Sequence, residues 1–106
     1  MPKYLVEASY SADGLKGLQK DKAAGRKAAV AKAAESLGGK LEAFYYALGD
    51  HDVISIVDLP NAVSASAFAL GASATGLVRT KTTALLTVEE TDQALGKKID
   101  FRAPGR

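Results

Sequence analysis

The chain has 106 residues, of which 47% are hydrophobic and 25% charged, a composition typical of one small globular domain. It contains no cysteine and a single histidine, so disulfides, thiolate metal sites and a cysteine nucleophile are excluded. Its net charge is +2, and no aromatic residue lies among the basic side chains of positions 16–40, so we expect no nucleic-acid partner. The absence of a long apolar run predicts a cytoplasmic protein without a membrane partner.

The first part of the chain predicts a strand followed by a long helix. Residues 3–9 alternate between the two faces of a strand. Helical spacing then runs from about 12 to 37, with Ser11 as N-cap and an interruption around Lys20–Lys22. The Gly38-Gly39 pair ends the helix, because glycine takes the left-handed conformation of a helix C-terminus without a steric penalty.

A β-hairpin is predicted next. Two strand patterns, over 41–48 and 52–59, are joined by the short connection 49–51. Gly49 is expected to supply the positive φ of this turn.

The second half of the chain predicts a helix over 62–75, a threonine-rich strand over 77–88 and a short polar helix over 89–95. We therefore divide the chain into one domain, 1–96, and a C-terminal tail, 97–106. The order β-α-β-β-α-β predicts an α+β, ferredoxin-like sandwich, in which a four-stranded antiparallel sheet carries two helices on one face.

The strand over 52–59 indicates what covers the other face. It is apolar on both sides, with Ile54 and Ile56 on one and Val53 and Val57 on the other. A strand that is apolar on both sides is buried on both, and two helices cover only one. We therefore expect a homodimer that pairs through the open face of the sheet.

Charged residues are predicted on that same open face. If Val78 and Thr80 face the helices, Arg79 and Lys81 face the other way, together with Glu7 of the first strand. Charges between two sheets must be paired, hydrated or bound to a ligand. A cavity between the paired sheets is thus expected to bind a small anionic or aromatic metabolite.

Candidate catalytic residues lie in the hairpin connection. Histidine is the side chain that changes protonation near neutral pH, so His51 is a candidate general base. A hairpin histidine that bonds to its own turn is the alternative. Asp52 is a candidate beside it, although a carboxylate at this place also accepts backbone N–H bonds across a turn. Strand alternation sends Asp50 and Asp52 away from the imidazole, so no metal site is expected.

Three further residues are candidates for ligand binding. Arg26 shares a helical stripe with Val30, so it either extends outward, pairs with a carboxylate or binds an anionic ligand. Tyr45 and Tyr46 point to opposite faces, and alternation places Leu41 on the side of Tyr45. Alternation alone does not indicate which tyrosine faces the cavity.

The chain resembles the GYD domain family, a family of small proteins to which no reaction is assigned. The resemblance extends over most of residues 3–92 and includes the Ser-Ala-Asp-Gly sequence at 11–14, the pair Gly49 and Asp52, and Leu86-Thr87-Val88-Glu89-Glu90. The family usually has tyrosine immediately before the aspartate, where this chain has His51. A role that depends on a phenol at that position therefore does not carry over.

The family is similar to the dimeric α+β barrels, so the resemblance implies that fold and a homodimer, and no cofactor. Three functions stay open. The first is a small homo-oligomer that binds a metabolite. The second is a cofactor-free oxygenase or isomerase. The third is a structural assembly module whose segment 97–106 docks on a neighbouring chain.

Overall fold

The computed structural model describes all 106 residues and contains four strands and three helices. In chain order they are β1 (Lys3–Tyr10), α1 (Ala12–Ser36), β2 (Lys40–Tyr46), β3 (Val53–Asp58), α2 (Ala62–Ser73), β4 (Val78–Leu85) and α3 (Val88–Leu95). Neighbouring strands are antiparallel throughout, and their order across the sheet is β2-β3-β1-β4. The α+β class and the four-stranded antiparallel sheet are confirmed.

Helix α1 begins, bends and ends close to the predicted positions. The Ser11 hydroxyl accepts a hydrogen bond from the Gly14 N–H at 3.1 Å, which satisfies one of the free donors at a helix start. Lys22 has φ 68° and ψ 165°, so α1 consists of two helical segments joined by a kink. Gly38 follows the helix with φ 81°, as expected for a left-handed residue at a helix end.

The hairpin between β2 and β3 is wider than predicted. Residues 47–52 form its loop, which closes where the Ala47 N–H donates to the Asp52 carbonyl oxygen at 2.8 Å. Gly49 is not among the residues with positive φ, so the prediction for this glycine is wrong. Six residues reverse the chain here, whereas the tight turns of two or three residues are the ones that place a residue in the left-handed conformation.

A β-bulge in β2 changes which side chains share a face. Leu41 pairs with Val57, but Ala43 pairs with Ile56, so Glu42 is an extra residue in β2. Leu41 packs against the core. The prediction that it shares a face with Tyr45 is wrong, because the extra residue interrupts the alternation between the two positions.

We call the side of the sheet covered by α1 and α2 the helix face. Its core joins residues of β1 and β3 to one buried alanine from each helix, and two of its side chains, Val57 and Leu59, are completely buried. The members of this core cluster are Tyr4, Val6, Ala34, Val57, Leu59 and Ala65.

We call the opposite side the open face, because neither α1 nor α2 lies over it. Ile54 is 38% exposed there and Tyr45 is 69% exposed. At one corner, Lys3 Nζ lies 2.7 Å from a Glu42 carboxylate oxygen and 2.9 Å from Asp58 Oδ1. Hydrogen bonds to Glu42 and Asp58 raise the pKa of Lys3. Pairing of this face with a second copy stays a prediction.

Candidate functional site

A cavity of about 400 Å³ lies on the helix face, between α1, α2 and the sheet. We call it the helix cleft. Thirteen of its 18 lining residues are hydrophobic, and its volume is within the range of small-molecule sites. Val6 and Val53 form part of its floor, and Phe44 and Phe68 contribute aromatic side chains to its lining.

Small residues on both helices account for the space. Where the helices line the cleft they carry mostly side chains that end at or near Cβ, so neither fills the volume above the sheet. A Cβ added at Gly71 would have no atom of the protein within 4 Å apart from its own helix and chain neighbours. The small residues are Ala29, Ala33 and Ser36 of α1 and Ala67, Gly71 and Ala72 of α2.

Arg26 is the only charged side chain that lines the cleft. The Arg26 side chain is 35% exposed, and its Nη1 lies 3.5 Å from Asp21 Oδ2. Both groups are within reach of solvent, and ion pairs of this kind contribute little. The arginine therefore keeps N–H donors at the cleft that this single contact does not use.

Two tyrosines lie next to Arg26. Tyr10 lines the cleft, and the Tyr46 hydroxyl donates to the Ala23 carbonyl oxygen of α1 at 3.1 Å. Burial, and secondarily the nearby Tyr10, raise the pKa of Tyr46, against the opposing effect of Arg26. The Tyr46 phenol therefore stays protonated at neutral pH and acts as a hydrogen-bond donor.

No carboxylate or imidazole lines the helix cleft. Its polar side chains are an arginine, a phenol and three hydroxyls, and the Ser55 hydroxyl already donates to the Val6 carbonyl oxygen at 2.9 Å. A site that abstracts protons near neutral pH needs a base, and this lining offers none. The lining can therefore offer apolar contact together with hydrogen-bond donation.

On the open face, three polar side chains form a row at the end near the hairpin. His51 Nδ1 lies 3.2 Å from Ser9 Oγ, and His51 Nε2 lies 3.6 Å from Glu7 Oε2. Arg79 and Lys81 of β4 pair with Ser9 and Glu7 in the sheet register, so all five belong to one polar patch. The 3.6 Å separation exceeds a hydrogen bond, and the lining of the helix cleft contains none of the five.

Asp52 has a structural place in the fold. Its Oδ2 accepts a hydrogen bond from the Tyr10 N–H at 2.8 Å, and its own N–H donates to the Ala8 carbonyl oxygen at 2.8 Å. The residue thus ties the hairpin loop to β1. This is the backbone-accepting arrangement that the sequence offered as the alternative to catalysis.

The sequence-predicted candidates therefore fall into two groups on opposite faces of the sheet. Arg26 and Tyr46 lie near each other beside the helix cleft. Five other candidates lie on the open face, and Asp52 belongs to neither group, because it ties the hairpin loop to β1. Those five are Glu7, Tyr45, His51, Arg79 and Lys81.

Sequence reasoning missed Ser9 and Tyr10. The alternation of β1 was sufficient to find both, because Ser9 is two positions beyond Glu7 and Tyr10 two positions beyond Ala8. The missing information was that the hairpin loop folds back over the end of β1, which brings His51 to Ser9.

The structure holds neither a metal-binding cluster nor a membrane-spanning helix. No cluster of three or more His, Cys, Asp or Glu side chains is arranged to hold a metal ion. None of the helices has both the length and the apolar character required to cross a bilayer.

Comparison with known proteins gives one match. A family model described as the GYD domain matches residues 4–95, which include every strand and all three helices apart from the first residue of β1. No curated protein and no solved structure matches the chain.

Proposed function

The chain belongs to the GYD domain family, and we propose that it is a homodimer in which each subunit binds a small, largely apolar carboxylate in its helix cleft. The observation that carries the proposal is the pairing of an apolar cavity of about 400 Å³ with one arginine in its lining. The subunit is a ferredoxin-like sandwich in this proposal, with α3 added after the sixth element.

The lining selects the ligand chemistry. Thirteen hydrophobic residues favour an aromatic or aliphatic body, because burial of apolar surface is the main source of affinity in such a site. Arg26 offers two parallel N–H donors to a carboxylate. The Tyr46 hydroxyl beside it donates to the Ala23 carbonyl oxygen, and the protonated phenol adds no negative charge next to the anion.

The accessible surface of the chain supports the dimer. The subunit exposes 7635 Å², whereas a folded monomer of 11.0 kDa exposes about 5,600 Å². The excess of roughly 2,000 Å², to which the exposed residues after Leu85 contribute, is of the size that each subunit gives up in an obligate dimer. The open face supplies apolar surface for this pairing through Ile54, Ile56 and Tyr45.

Binding is favoured over the enzymatic alternative by the composition of the cleft. The oxygenase or isomerase hypothesis places a general base next to the substrate, and the only histidine lies on the opposite face of the sheet. The cavity expected between paired sheets requires two chains and stays a prediction, whereas the helix cleft is complete in one subunit.

Calorimetric titration with 2-naphthoate tests the proposal, with 2-naphthalenemethanol as the uncharged comparison. We expect Arg26→Leu to weaken 2-naphthoate binding at least tenfold, since hydrogen bonds to a charged group contribute about 1.5–3 kcal/mol. Binding of the alcohol should change little. Arg79→Leu is the matched control, because it removes the same charge from the open face.

A second variant tests whether the ligand binds in the helix cleft without changing the charge of the cleft. Gly71→Leu places a side chain into the empty space of the cleft, so it should abolish binding of both probes. Gly17→Leu is the control, since Gly17 also has free space for a side chain but does not line the cleft. Unchanged affinity in Arg26→Leu and Gly71→Leu would overturn the proposed site.

A further inference from the structure

The last 21 residues of the chain make few contacts with the rest of their own subunit. We call residues 86–106 the C-terminal arm. Helix α3 makes almost no contact with the sheet or with the other helices, and every residue after Leu85 is exposed. The chain has a radius of gyration of 16.8 Å, against about 13 Å for a compact domain of this length.

The arm nevertheless carries a row of large apolar side chains. Each of them is at least 66% exposed, and nothing in the subunit covers them. Val88, Thr91 and Leu95 lie on one side of α3, at spacings of three and four residues. The exposed apolar side chains are Leu86, Val88, Leu95, Ile99 and Phe101.

Helix α3 has a capped N-terminus but is too short to be stable alone. The Thr87 hydroxyl accepts from the Glu90 N–H at 3.0 Å, and the Glu90 carboxylate accepts from the Thr87 N–H at 2.9 Å. This capping box favours the start of a helix. Isolated helices shorter than about 12–15 residues are marginal in water, so an eight-residue helix needs a surface to pack against.

The charges of the arm identify that surface. Its first half is acidic and its second half is basic, with Asp100 as the one acidic side chain after α3. Two copies of the arm that run antiparallel bring each acidic half against a basic half. The acidic side chains of α3 are Glu89, Glu90 and Asp92, and the basic ones after it are Lys97, Lys98, Arg102 and Arg106.

We propose that the C-terminal arm packs against the arm of a second copy of this chain, antiparallel, with the acidic α3 of one copy beside the basic tail of the other. The inference rests on the homodimer of the proposed function and adds a second contact to it. A two-fold axis provides this arrangement without further assumptions, since each copy contributes one acidic and one basic half.

A charge-exchange experiment on the full chain tests the pairing. Lys97→Glu/Lys98→Glu makes the arm net acidic, and Glu89→Lys/Asp92→Lys makes it net basic. Either variant alone brings like charges together across the two-fold axis. After mixing in equal amounts, native mass spectrometry should find mixed dimers well above the half expected for random pairing, roughly three quarters or more, because opposite charges then meet.

The control moves the same charges away from the arm. Lys27→Glu/Lys32→Glu and Asp13→Lys/Glu35→Lys change exposed residues of α1, and their mixture should give random pairing. In a separate measurement, a shortened chain that ends at Thr87 should dissociate at least tenfold more readily than the full chain, because the arm contact is lost.

The possible outcomes separate the two proposals. Random pairing of the arm variants in intact dimers, or unchanged dissociation of the chain that ends at Thr87, would overturn the arm contact and leave the proposed function standing. Wild-type protein that stays monomeric would overturn the dimer, and the arm contact with it.

Discussion

On the helix face of the sheet, Val57 and Leu59 are completely buried, whereas on the open face Ile54 and Tyr45 stay 38% and 69% exposed. Both faces have an apolar centre, but only one is covered within the chain. The covered face also keeps an unfilled cavity, because small residues of both helices stand over it. Alternating apolar residues in a strand therefore predict that a sheet face is covered. They do not predict how well the covering element fills the space above that face.

Truncation of one large side chain on each face should give the largest contrast. We expect Leu59→Ala to lower the free energy of unfolding by about 2–5 kcal/mol, because it leaves a cavity in the core. Ile54→Ala should cost less than about 1.5 kcal/mol in dilute protein, since this side chain is already part exposed. Urea unfolding at two protein concentrations measures both.

The concentration dependence separates the two faces further. The loss of unfolding free energy caused by Ile54→Ala should be larger at high protein concentration than in dilute protein. At high concentration the wild-type chain is stabilised by dimer formation, and the variant loses part of that stabilisation. Equal losses for Leu59→Ala and Ile54→Ala in dilute protein would contradict the difference between the faces.

Two glycines of α1 test how closely the helix face is packed. A Cβ at Gly14 would overlap the carbonyl oxygen of Leu77, whereas a Cβ at Gly17 would meet no neighbouring atom. Gly14→Ala should therefore destabilise the fold by about 1–3 kcal/mol. Gly17→Ala should stabilise it by up to about 1 kcal/mol, since alanine favours the helix. Thermal unfolding compares them, and equal effects would show that Gly14 is not constrained.

Asp52 tests whether the end of the sheet near the hairpin is structural. Asp52→Ala removes the carboxylate that accepts the Tyr10 N–H, so we expect a loss of about 1–2 kcal/mol in unfolding free energy. Asp50→Ala, at an exposed position of the same loop, should have almost no effect. Loss of 2-naphthoate binding by Asp52→Ala at unchanged stability would instead assign this residue to the ligand site.

The smallest expected effect concerns α3, which packs against neither face of the sheet. Hydrogen bonds from the Thr87 backbone and hydroxyl lower the pKa of Glu90. A carboxyl whose pKa is lowered in the folded state stabilises it above the ordinary value of about 4.3, and this contribution disappears as the pH falls through the lowered pKa. The helical signal of α3, followed by NMR chemical shifts, should decrease at acid pH. Glu90→Gln should weaken this dependence and leave only the part that Glu89, also in the first turn of α3, contributes through the helix dipole. An equally large decrease in the variant would contradict the assignment.

Much of the fold was predictable because its signals are local. The cap at Ser11, the kink near Lys22 and the glycine at 38 each depend on a few neighbouring residues. Helical spacing also placed Arg26 on the same stripe of α1 as Val30, and both residues line the helix cleft.

The remaining features depend on contacts between distant residues. The bulge at Glu42 arises from pairing with β3, and it moved Leu41 to the helix face. The loop 47–52 made a positive φ at Gly49 unnecessary. The helix cleft itself arises where small residues of two distant helices meet above the same part of the sheet, and no periodicity in the sequence specifies that meeting.

A native mass spectrum of the wild-type chain with 2-naphthoate tests the proposed dimer and its two clefts together, because it counts subunits and bound ligands at once. We expect a dimer that carries two naphthoate molecules, one for each helix cleft. A monomer without ligand at micromolar protein and millimolar naphthoate would contradict both the pairing and the site.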